Sequence, residues 1–112
     1  MKKISQVATR SSGNVFADAG IHNAAEHVLK ARVVVVIMKE IERQRLSQKE
    51  AADMMGIKQP DVSRLLRGDF AGFGLGRLLG LVRKLGRDVE IKIPRAARTQ
   101  EHHEGRLVMH AQ

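Results

Sequence analysis

Residues 46–70, LSQKEAADMMGIKQPDVSRLLRGDF, constrain the fold more than any other stretch of the chain. Ser47 followed by Glu50 is a capping box: the hydroxyl can accept from the N–H three residues on, and the carboxylate can reach back. Ala51, Ala52 and Met55 then form the inward face of a short helix. Gly56 can take a positive φ without steric cost and so can end that helix sharply. Ile57 points the turn into the core. A second helix is expected from Pro60, since proline suits the first helical turn and makes Gln59 a natural boundary. Asp61 sits where the helix dipole favours negative charge. Val62, Leu65 and Leu66 are spaced to pack inward, Asp61, Ser63, Arg64 and Arg67 face outward, and Gly68 closes the helix.

Two short helices joined by a glycine turn make a helix-turn-helix, whose second helix fits a DNA major groove. Arg pairs bidentately with guanine, Gln with adenine, and Asp accepts from cytosine N4. Gln59, Asp61 and Arg64 are therefore the expected base-reading set. Ser47, Gln48, Lys49, Lys58, Ser63 and Arg67 suit phosphates, which set register and carry little sequence information. The plainer reading is a helical hairpin with a solvated charged face. The coincidence of capping box, Ala52, Gly56, Ile57, Val62 and Leu65 at fitting offsets weighs against it.

The wider sequence agrees. The net charge is +8, which favours a polyanionic partner. Residues 43–67 hold Arg43, Arg45, Lys49, Lys58, Arg64 and Arg67 against Glu50, Asp53 and Asp61. Phe16, Phe70 and Phe73 are the only aromatics; single-strand binders stack bases on aromatic platforms, so this scarcity favours double-stranded DNA. With 112 residues the chain is long enough for one modest core. It contains no cysteine, which excludes thiolate metal sites and disulfides. The apolar run 33–38 is too short to span a bilayer, and Lys2 and Lys3 precede no signal-like core. A cytoplasmic, nucleoid-associated protein is expected.

Three regions are expected: an N-terminal arm (1–22), a helix-turn-helix domain with a C-terminal strand (23–93) and a flexible tail (94–112). Asn23 and Glu26 form a second capping-box pattern, predicting a first helix from Asn23 to about Gln44. The run VVVVIM favours a strand by local propensity, but its charged flanks favour a helix. Such a helix, apolar all round, needs cover on several sides: its own subunit, a second subunit, or Val15 and Phe16 of the arm. Leu75, Leu78, Leu79, Val82 and Leu85 repeat at helical spacing. Residues 88–93 alternate as a half-buried strand, whose backbone needs a partner; Val89, Ile91 and Ile93 would pair with a second copy or another protein. Leu107, Val108 and Met109 are too short a run to order the tail. The expected fold is mainly α: about four or five helices around the helix-turn-helix, plus one strand, paired across a dimer.

No constellation points to catalysis, a metal or a cofactor. His22 and His27 lie roughly 140° apart around a helix; His102, His103 and His110 fall in the tail; Gly72, Gly74, Gly76 and Gly80 have no dinucleotide spacing. Met38, Met54 and Met55 read as core filler. No enzyme activity is expected.

Residues 46–68 resemble the XRE (Cro/repressor-like) helix-turn-helix family. The segments GNVFADAG (13–20), AAEHVLKA (24–31), QPDVSRLLRG (59–68) and LGRDVEIKI (85–93) resemble more narrowly its HigA-type antitoxin and regulator branch. The resemblance covers residues 13–93 and implies a lambda-repressor-like fold for the domain. It implies base contacts from the start of the second helix of the motif, here Gln59, Pro60, Asp61 and Arg64, with Gln48 near a phosphate. Pro60 replaces a polar residue common in the wider family, so its contact is apolar, as to a thymine methyl. The function expected is a dimeric, sequence-specific DNA-binding repressor; the resemblance adds a second role, neutralising a RelE-like ribonuclease toxin. A non-specific nucleic-acid binder is the remaining rival.

Overall fold

A computed structural model describes residues 15–95 and 104–111, with side chains from residue 24 onward. Four helices follow in order: α1 (Val15–Arg43), α2 (Gln48–Met55), α3 (Gln59–Leu66) and α4 (Leu75–Lys84). α1 packs chiefly on α4 and α2 chiefly on α3; lighter contacts join α1 to α3 and α2 to α4.

α1 holds the valine run. Val33, Val34, Val36 and Ile37 are buried, and Ile41 continues their face one turn on. Val35 stays 45% exposed and Val28, two turns earlier on the same flank, 57%. Most of the run is thus covered within the chain. The side chains of Val15 and Phe16 lie outside those described. α1 also begins at Val15, eight residues before the expected start, so Asn23 lies inside the helix and is not its cap.

The capping box at Ser47 forms as expected. The Glu50 N–H donates to Ser47 Oγ at 3.0 Å, and the Ser47 N–H donates to Glu50 Oε1 at 2.8 Å. Ala51, Ala52 and Met55 are buried. Gly56 takes φ 71°, in the left-handed region, and Ile57 packs partly buried on the core. α3 begins at Gln59, with Lys58 as its N-cap and Pro60 in its first turn. This is one residue before the expected start, within the usual latitude of helix ends. Val62 and Leu65 are buried.

α3 ends in a Schellman turn: the Gly68 N–H donates to Leu65 O at 2.9 Å and the Asp69 N–H to Arg64 O at 2.9 Å. Gly68 takes the left-handed position, φ 83°. α1 closes in the same way, with Arg45 donating to Glu42 O and Leu46 to Ile41 O, both at 3.0 Å. There the left-handed position falls to Arg45, φ 57°.

The loop 69–74 is anchored by Phe70 and Phe73, both buried. The His27 ring lies 5.0 Å from that of Phe70, and the Arg77 guanidinium sits 4.6 Å from the Phe73 ring centre. α4 buries Leu78, Leu81 and Val82, and Leu85 follows them inward. Leu75 and Leu79 are only partly buried, so the buried stripe includes Leu81 and is rotated from the expected one. Among the methionines, Met55 is buried and Met38 partly so, while Met54 is 41% exposed and is not core filler.

Glu40 is the buried charge of this core, 4% exposed. Its Oε2 accepts from Arg43 Nε at 3.1 Å, from Arg43 Nη2, and from Gln44 Nε2 at 2.7 Å. These bonds, Arg43's first and Gln44's second, outweigh burial and hold its pKa below the ordinary glutamate value. The Gln44 amide also donates to Leu85 O at 2.7 Å, tying the end of α1 to the end of α4.

Residues 88–93 form no strand among the described residues. Val89 packs partly on the core, while Ile91 and Ile93 are 72% and 91% exposed. Residues 104–111 have no regular secondary structure, yet Met109 packs partly buried against the core. That contact was not expected of so short an apolar run. His102 and His103 lie outside the described residues, among which no cluster of three or more His, Asp or Glu side chains could hold a metal. No helix of the described residues is long and apolar enough to cross a membrane.

Candidate nucleic-acid interface

The turn at Gly56 brings the start of α2 beside the start of α3. Gln48 from α2 and Gln59, Pro60 and Ser63 from α3 line one shallow, open cup. Residues expected to touch bases (Gln59, Pro60) thus share a surface with two assigned to phosphates (Gln48, Ser63). Gln48, Gln59 and Pro60 are exposed. Ser63 is half-buried, and its Oγ accepts from Arg67 Nη1 at 2.8 Å.

Cations neighbour these residues in sequence. Lys58 is exposed, and as N-cap of α3 its side chain makes no cap hydrogen bond. Lys49 is exposed and meets Asp53 at 3.3 Å, a surface pair of small energetic weight. Arg67 is exposed at the end of α3. Ser47 lies beside Gln48, but its hydroxyl is already engaged in the capping box.

Arg64 and Asp61 differ from the other expected base readers. Arg64 Nη1 lies 3.2 Å from Asp61 Oδ1 and its Nε 3.5 Å from Asp69 Oδ2. The Arg64 and Asp61 side chains are 39% and 26% exposed. Arg64 Nη2 lies against Gly72, where an added Cβ would come within 3.3 Å of it. Asp69 was not among the expected site residues. Its signal in the sequence is an acid directly after the helix-closing Gly68, a position that the Schellman turn folds back onto Arg64.

Comparison with known proteins decides the family. A family model described as a helix-turn-helix domain matches residues 15–94. A solved structure of an XRE family transcriptional regulator superposes with a TM-score of 0.71 at 36% sequence identity, covering 80% of this chain and 99% of that one. The chain belongs to the XRE helix-turn-helix family. No curated protein matches it. In this helix-turn-helix protein α2 and α3 are the two helices of the motif, and α3 occupies the place of the recognition helix.

Proposed function

We propose that this XRE-type protein is a sequence-specific, double-stranded DNA-binding transcriptional regulator, acting as a dimeric repressor in the cytoplasm. The observation that carries the reading is the cup at the joined starts of α2 and α3, with Lys58 beside it and Lys49 and Arg67 on the same two helices. A helix presenting amides and a proline ring at its exposed start, with cations on its own and the adjoining helix, has the chemistry of groove entry with phosphate anchoring. No catalytic role is assigned.

The dimer is inferred from residues 88–93. Their alternation leaves Ile91 and Ile93 exposed beside a core-packed Val89. A second copy's strand would pair this backbone and cover both side chains. Two recognition helices would then meet successive major grooves roughly 34 Å apart on a pseudo-palindromic site. Selection of bound duplexes from a random pool, with the protein's mass measured in the same buffer, tests both points. A two-fold-symmetric consensus bound by a dimer is the expected result. Equal binding to scrambled duplexes would instead identify a non-specific binder.

A second reading uses the same exposed edge: a HigA-type antitoxin that adds its strand to a RelE-like ribonuclease toxin. The resemblance of the flanking segments and the exposed Ile91 and Ile93 favour it. Co-expression with each neighbouring reading frame tests it, and the absence of any toxicity to suppress would refute it.

A further inference from the structure

We propose that the outer face of α1 is a docking surface for α1 of a second copy, the two helices packing antiparallel as a short coiled coil. This surface lies apart from residues 88–93 and requires neither their pairing nor DNA.

α1 buries Val33, Val34, Val36, Ile37 and Ile41 against its own domain, while Val28 and Val35 stay exposed. The two exposed valines are one heptad apart. Ala24, Val28, Ala31, Val35 and Met38 follow one another at spacings of four, three, four and three residues. That is the repeat of a coiled-coil seam, with a β-branched residue at one of its two core positions. Ala24 is exposed, and Ala31 and Met38 are half-buried. Each of residues 24–28 is exposed, so this stretch of α1 lacks cover from the described part of its own chain.

A seam of this repeat is filled by a helix of the same repeat, and a second α1 supplies one. Set antiparallel, Val28 of one copy meets Ala31 of the other, and Val35 meets Ala24. Each of these layers pairs a valine with an alanine, so the seam has even width. A parallel pair would alternate valine–valine with alanine–alanine layers of unequal width. The antiparallel register also lays the uncovered 24–28 stretch of each copy on residues 31–35 of the other, a self-complementary two-fold contact. Along the flank, Arg32 falls beside the small Ala25 of the second copy, which leaves its guanidinium a path to solvent. Asp18 falls level with Lys39 of the second copy, a pairing of opposite charge. Val35 shares a groove with Met109 and Ala111, and the small Ala24 of the second copy is the residue that seats there.

The chain has no cysteine, so introduced thiols report the register directly. Full-length Ala24→Cys and Val35→Cys chains, mixed and mildly oxidised, should give a mixed disulfide of twice the chain mass. Neither variant alone should do so, because like positions lie roughly 16 Å apart along the axis in this register, beyond the roughly 7 Å that a disulfide spans. Adding Val28→Glu to both should cut the yield by roughly tenfold or more, since the seam loses two buried valines. Adding Ile91→Lys and Ile93→Lys to both should leave the yield unchanged. A disulfide within Val35→Cys alone, no mixed disulfide, or a yield indifferent to Val28→Glu would overturn the proposal. A yield lost with Ile91→Lys and Ile93→Lys would overturn it too and assign the contact to residues 88–93. Selection of duplexes by the unmodified chain is a separate measurement, so none of these results bears on the DNA-binding reading.

Discussion

Arg45 shows how a single backbone angle can oppose stability. Its φ of 57° places an L-residue in the left-handed region to close α1. That region costs roughly 1–2 kcal/mol for a residue with a Cβ, against roughly 0.5–1 kcal/mol for the extra chain entropy of glycine. Arg45→Gly should therefore stabilise the fold by about 0.5–1 kcal/mol, seen as a raised Tm in thermal unfolding. Glu40 gives the chain a pH dependence. Its carboxyl is held below the ordinary value by Arg43 first and Gln44 second. A depressed carboxylate contributes stability that is present above the unfolded-state pKa and is lost as pH falls through the folded one. Denaturant midpoints should therefore drop on acidification below the ordinary glutamate range, and Glu40→Gln should flatten that part of the profile. Lys58→Ala should weaken binding to every duplex and reduce the slope of log affinity against log salt by about one.

At the level of elements, α2, the turn and α3 were legible because their determinants are local. A capping box, Gly56 and the buried positions Val62 and Leu65 lie within a few residues of what they control. The start of α1 was not legible, because Asn23 and Glu26 mimic a cap that a helix already running from Val15 does not need. The rotated stripe of α4 escaped because tertiary packing, chiefly of α1 on α4, decides which leucines are inside, and spacing alone does not separate Leu81 from Leu79. Alternation in residues 88–93 is visible, yet no strand forms there among the described residues, because alternation alone supplies no hydrogen-bond partner for the backbone. Of the candidate surface, the exposure of Gln59 and Pro60 was legible, while the pairing of Arg64 with Asp69 depends on a turn that reverses the chain. Leu78 of α4 is fully buried. Leu78→Ala should destabilise by about 2–5 kcal/mol, a large share of a typical domain's roughly 5–15 kcal/mol. Chemical denaturation measures it directly.

For the molecule as a whole, the positive charge and the helix-turn-helix point to one kind of partner, while the exposed Ile91 and Ile93 point to another. These surfaces need not compete: one uses the starts of α2 and α3, the other an extended segment beyond α4. The Gln44 amide has a further bearing on how the chain comes apart. Just past the end of α1, it bonds Glu40 in the last turn of that helix and the Leu85 carbonyl beyond α4, so neither helix end can loosen without losing a bond to the other. Amide protons in those two closing turns should therefore exchange with deuterium at matched rates, and Gln44→Ala should let each run at its own pace.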